Sequence, residues 1–140
     1  MDIKRINDRV SVSGQITPEH VAEIKAAGFV TIVNNRPDGE APEQPEGAAI
    51  RAAAEAAGLD YVEIQMGRQG VSPEMIAQTQ AVLAQSEGPV FCYCRTGTRS
   101  TTLWALAQAG HMDASEIIAS AANAGYDMSH LAEHLSRDNG

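Results

Sequence analysis

The sequence predicts an α/β fold: one domain over residues 1–140, with a central, largely parallel sheet flanked by helices. Short β-branched apolar runs alternate with alanine-rich helical stretches. Glycines and Ser/Thr-Pro pairs stand where those stretches begin and end. A length of 140 residues with 44% hydrophobic content suits one ordinary core and is short for two domains.

Taken in order, Arg9-Val10-Ser11-Val12-Ser13 alternates as a strand, and Gly14-Gln15 turns the chain toward Thr17-Pro18. Thr17 is an N-cap with proline at the first helical position, opening a helix to about Ala27 that Gly28 closes. Phe29-Val30-Thr31-Ile32-Val33 reads as a buried strand, which completes a β-α-β start. Residues Asn34 to Gly47 hold three prolines and two glycines and form an irregular loop at the end of that strand, where function often resides. Ala48 to Ala57 is helical and capped by Gly58, and Tyr61-Val62-Glu63-Ile64-Gln65 alternates as the next strand. Ser72-Pro73 starts a helix to about Ser86, after which Gly88-Pro89 leads into the strand Val90-Phe91-Cys92-Tyr93-Cys94. Further helices cover Arg99 to Ala109, Ala114 to Ala124 and Ser129 to Ser136, with Gly125 as a cap.

A formal net charge of −8 argues against nucleic-acid or membrane partners, both of which need a clustered basic face. Any anion site must be local. The two cysteines, Cys92 and Cys94, are too few for a secreted disulfide framework. The chain start lacks a signal-peptide pattern, and no apolar run is long enough to span a bilayer, so a cytoplasmic location is expected.

The chemistry concentrates in Cys94-Arg95-Thr96-Gly97-Thr98-Arg99-Ser100. A strand ending in cysteine, a turn containing Gly97 and a helix starting near Arg99 form a cradle of backbone N–H groups that suits an anion. Helix-start partial charge and the guanidinium groups of Arg95 and Arg99 favour the thiolate, which is the nucleophilic form. Cys94 alone would read as a small core residue, and its context makes it a nucleophile. Arg99 offers parallel donors to a tetrahedral oxyanion, and Thr96, Gly97 and Thr98 line the substrate loop. Ser100 is placed to hydrogen-bond the sulfur.

This heptapeptide resembles the signature loop of cysteine-dependent phosphatases and also the rhodanese loop. With Ser13-Gly14-Gln15, Asn35-Arg36-Pro37-Asp38-Gly39-Glu40 and Ala124-Gly125-Tyr126-Asp127, nearly the whole chain resembles the beta-lactamase-hydrolase-like, phosphatase-like family. That resemblance implies a protein-tyrosine/dual-specificity-phosphatase-like fold and catalytic roles for Cys94 and Arg99. Some relatives are fused to persulfide dioxygenases, which points toward sulfide metabolism.

Three departures from the phosphatase pattern matter. Four residues, not five, separate Cys94 from Arg99, which is the rhodanese loop length. Tyr93 stands where the pattern has histidine, and Gly67-Arg68 where dual-specificity phosphatases place an acidic residue. Arginine cannot protonate a leaving alkoxide. Asp38 is the best substitute acid, although Pro-Asp-Gly is also common turn chemistry. Arg68 and Arg36 are candidate substrate contacts on a positive rim.

The expected activity is therefore sulfur transfer through a Cys94 persulfide, with a small anionic donor such as thiosulfate or a persulfide and with a thiol acceptor. The alternative is a phosphatase that cleaves a phosphate ester through phosphocysteine, and a second alternative is a non-catalytic anion-binding or redox-sensing module. Cys92, two residues before Cys94 on a strand at a separation of about 6.6 Å, reads as core or as a resolving thiol. No cofactor and no metal is expected, since His20, His111, His130 and His134 lack zinc-like spacing with the cysteines.

Overall fold

The computed structural model describes residues 1–137, so residues 138–140 of the expected domain lie outside the described residues. Five strands, β1 (Lys4–Arg5), β2 (Val10–Ser13), β3 (Thr31–Asn34), β4 (Asp60–Glu63) and β5 (Val90–Tyr93), form one sheet in the order β1-β2-β5-β3-β4. Only β1 runs antiparallel to its neighbour; β2, β5, β3 and β4 pair in parallel. The helices are α1 (His20–Ala26), α2 (Gly47–Ala56), α3 (Pro73–Gln85), α4 (Thr98–Gln108), α5 (Ala114–Asn123) and α6 (Ala132–Arg137), the last preceded by a 3-10 turn at Ser129–Leu131.

Parallel strands must be covered on both faces, and alternation along β5 divides the core accordingly. Phe91 and Tyr93 join Ile24, Ile32 and Ile50 beneath α1 and α2. Val90 and Cys92 join Val12, Leu103, Trp104 and Ile117 beneath α4 and α5. Cys94 directly follows β5 and is buried. Among the described residues no helix is long and apolar enough to cross a membrane.

Most element boundaries fall within one residue of the sequence-based expectation, and the larger shifts have local causes. The helix expected from Thr17 begins at His20, because the Thr17 N–H donates to His20 Nδ1 at 3.0 Å and closes a separate turn. The strand expected from Phe29 begins at Thr31; Phe29 instead packs edge-on against Phe91, with ring centroids 5.4 Å apart. Strand β1, absent from the sequence reading, is a two-residue edge piece. Ser72 caps α3 as expected, its side chain accepting the Met75 N–H at 3.2 Å.

Candidate active site

β5 occupies the middle of the sheet between β2 and β3, so the loop that follows it opens at the carboxyl ends of three parallel strands, the usual location of ligand sites in such sheets. Gly97 makes the turn into α4 at φ 93°, the left-handed region that favours glycine, and its N–H donates to Cys94 Sγ at 3.1 Å. A donor is thus positioned to hold negative charge on sulfur. The first-turn N–H groups of α4 have no intrahelical acceptor and remain available to an anion.

Two neighbours fix the loop from outside. The Gln15 N–H donates to the Arg95 carbonyl at 3.3 Å, and a Cβ on Gly14 would sit 2.8 Å from that oxygen, so the turn after β2 needs glycine to approach so closely. From the other side the Tyr126 hydroxyl donates to the Thr96 carbonyl at 2.8 Å, and a Cβ on Gly97 would overlap the same hydroxyl. Gly97→Ala should therefore destabilise the protein by more than the ~1–2 kcal/mol of left-handed strain alone, as read by urea unfolding. A loss under about 0.5 kcal/mol would mean that the loop relaxes freely.

Arg99 is held by a residue that the sequence reading missed. Glu40 accepts from Arg99 Nη2 at 2.7 Å and Nη1 at 2.8 Å, Nη1 also donates to the Met66 carbonyl at 2.9 Å, and Arg36 Nε reaches Glu40 Oε1 at 2.9 Å. Arginine has five N–H donors. Three are committed here, and the two left over, on Nε and Nη2, lie side by side in the fork geometry that matches a phosphoryl group. Glu40 itself, hydrogen-bonded by Arg99 and further by Arg36, is lowered from 4.5 to about 2 and stays ionised at neutral pH.

Glu40→Gln keeps the shape of this clasp and removes its charge. We expect a fall in kcat/KM of about tenfold or more, since a charge-assisted hydrogen bond contributes roughly 1.5–3 kcal/mol. Because the folded-state value of Glu40 is depressed, its stabilisation is complete above 4.5 and is lost as pH falls through about 2. Thermal melts between about pH 5 and pH 2 should show a component that disappears in Glu40→Gln.

The other expected site residues divide into two groups. Arg68, Arg95, Arg99 and Glu40, with Pro37 and Gly67, line an open cleft of about 560 Å³ beside the loop. Thr96 and Thr98 face each other through their hydroxyls at 3.2 Å on the exposed loop surface. Arg36 lies behind the cleft instead of on its rim: it is buried, with 5% exposure, and donates to Gln15 Oε1 as well as to Glu40. Ser100 Oγ is buried without a hydrogen-bond partner and lines a small internal void with Cys92, so it does not bond the Cys94 sulfur. Asp38 accepts the Gly47 N–H at 2.8 Å, tying its loop to the start of α2, and lines a different cleft from Arg95 and Arg99.

Cys92 is fully enclosed, and burial, reinforced by Cys94, pushes its thiol up to about 12. Among the described residues no group of three His, Cys, Asp or Glu is arranged to hold a metal ion.

The model of the family described as "Beta-lactamase hydrolase-like protein, phosphatase-like domain" matches residues 2–111. The chain belongs to this family. Over 139 residues it is 37% identical to the beta-lactamase hydrolase-like protein of Agrobacterium fabrum, covering 98% of this chain and 32% of that one. The chain thus spans about a third of the length of the curated relatives it matches. A solved structure of a candidate phosphatase from Neisseria meningitidis is 31% identical and superposes with a TM-score of 0.84 over 99% of both chains. PTPMT1 in complex with PI(5)P shares the fold at 14% identity, with a TM-score of 0.74 over 97% of this chain and 93% of that one.

These relationships confirm the expected phosphatase-like α/β fold and correct the expected chemistry. The expectation of sulfur transfer rests on the six-residue loop length, on Arg68 standing where an acid would and on fusions of relatives to persulfide dioxygenases, not on the fold as a whole. Residues 2–111 match a phosphatase-like domain and 99% of the chain superposes on a candidate phosphatase, so phosphatase-type chemistry fits this chain better than sulfur transfer, and thiosulfate and a thiol acceptor lose their basis.

Proposed function

We propose that the domain is a cysteine-dependent phosphatase that cleaves a small phosphorylated substrate through a phosphocysteine at Cys94. The observation that carries this reading is the pair of parallel donors that Glu40 and Met66 leave unoccupied on Arg99, on the helix that starts from the Cys94 loop. In the first step the thiolate attacks phosphorus while Arg99 and the loop N–H groups gather the charge on the equatorial oxygens. In the second, water attacks the phosphocysteine and inorganic phosphate leaves. Arg68, Arg95, Thr96, Gly97 and Thr98 surround the bound substrate in this reading. A reducing, cytoplasmic setting belongs to it, because Cys94 must stay a free thiol.

The test is incubation with an aryl phosphate, following phosphate release and the mass of Cys94 after acid quench. A phosphoryl adduct on Cys94 with multiple turnovers is expected. An unmodified Cys94 together with no phosphate release would overturn the reading.

A further inference from the structure

Resting on the phosphatase reading above, the substrate class can be narrowed from the charges around the cleft. Among the described residues its only carboxylate is Glu40, which is committed to Arg99 and Arg36 and kept ionised, so it has no proton to give. Asp38 faces another cleft and is bonded to the Gly47 N–H. An alkoxide leaving group needs a proton donor, a contribution of about 10²–10⁴ in rate. The cleft offers cations in its place. Arg68 and Arg95 are exposed there, and their guanidinium groups have no ion-pair partner among the described residues, in a chain whose formal net charge is −8. Unpaired arginines where an acid would stand fit a leaving group that departs as an anion and stays one.

We propose that the bond cleaved is a phosphoanhydride, its terminal phosphoryl group seated over Cys94 and its leaving phosphate held by Arg68 and Arg95. The Cys94 thiolate forms the S–P bond, the bond from phosphorus to the bridging oxygen breaks, and that electron pair stays on the oxygen as the leaving phosphate. No proton is required. Water then attacks the phosphocysteine, the S–P electron pair returns to sulfur, inorganic phosphate departs and the proton from water passes to bulk solvent. Arg68 and Arg95 act as charge acceptors for the departing group, which is the electrostatic counterpart of a general acid.

The experiment compares kcat/KM for inorganic pyrophosphate, methyl phosphate, an alkyl bisphosphate and p-nitrophenyl phosphate, in the full chain and in Arg68→Gln/Arg95→Gln. Pyrophosphate should exceed both alkyl esters by about 100-fold or more. In the double variant the ratio of pyrophosphate to p-nitrophenyl phosphate should fall at least about tenfold, because only the first leaves as a phosphate. Alkyl ester turnover within tenfold of pyrophosphate, or an unchanged ratio in the double variant, overturns this proposal while the phosphatase reading stands. Absence of phosphate release from all four, with no phosphocysteine detected, removes both.

Discussion

Cys94→Ser should abolish phosphate release from every substrate, a loss of about 10⁴ or more, while leaving the fold intact. Sulfur and oxygen differ little in size at a site buried to 1% exposure, so packing survives the exchange. Reactivity does not, because a hydroxyl has almost no anionic fraction near neutral pH, and the group that contacts this position through a hydrogen bond is a backbone N–H donor from Gly97, not a base. Circular dichroism and thermal melting would verify the fold, and phosphate release would read the loss. Retained turnover would end every mechanism that passes through a covalent intermediate on Cys94. Cys92→Ser is the informative companion. Cys92 lies in the core beneath α4 with its thiol pushed up to about 12, so its replacement should alter stability more than rate. Equal inactivation of the two variants with intact folds would assign Cys92 a chemical role that its burial argues against.

Arg99→Lys should reduce kcat by about 10²–10³, the magnitude seen when one charge contact to a developing oxyanion is removed. Charge is conserved in this exchange and geometry is not. Lysine cannot span both oxygens of Glu40 while donating to the Met66 carbonyl, and no fixed pair of donors would then remain for the phosphoryl group. The separation of kcat from KM is decisive: a loss confined to KM would mean that Arg99 grips the ground state alone, and a loss under tenfold would place it outside the site. The Arg99→Lys/Glu40→Gln pair should lose less than the two single changes multiplied, since each single change already breaks the same clasp.

Local signals reached the candidate nucleophile and its loop. Cys94, Gly97 and Arg99 lie within one strand-turn-helix unit, and each residue type there is tied to a local requirement: a strand end, a positive φ of 93° and a helix start. The fold class was legible for a similar reason, because β-branched runs and capped alanine-rich helices mark their elements locally. Glu40 was not legible. Its loop also contains Glu43 and Glu46, and nothing in the residue types distinguishes the carboxylate that meets Arg99, a partner 59 residues away. Arg36 misled in the opposite direction: a loop arginine beside the cysteine loop reads as a substrate contact on the rim, and only the fold reveals it buried between Gln15 and Glu40. For Asp38 the turn signal was accurate, and the long reach of its carboxylate to the Gly47 N–H lay beyond sequence spacing. Loop length, finally, was a poor guide to chemistry, since one residue more or less in a turn says little about which element the thiolate attacks.

The central position of β5 has a consequence for how the chain is made. β2 and β3 both pair with β5 and not with each other, so a nascent chain that has emerged only as far as α3 holds the β1-β2 and β3-β4 pairs, each with an open edge and nothing yet to join them. Synthesis from the N-terminus therefore passes through an interval in which part of the future core is open to other chains, and it closes only when the strand before Cys94 slots into the gap. Ribosome-bound chains arrested before Val90 should recruit chaperones and resist cooperative folding, whereas chains arrested beyond α4 should not. The strand that leads into Cys94 is also the one whose arrival completes the sheet.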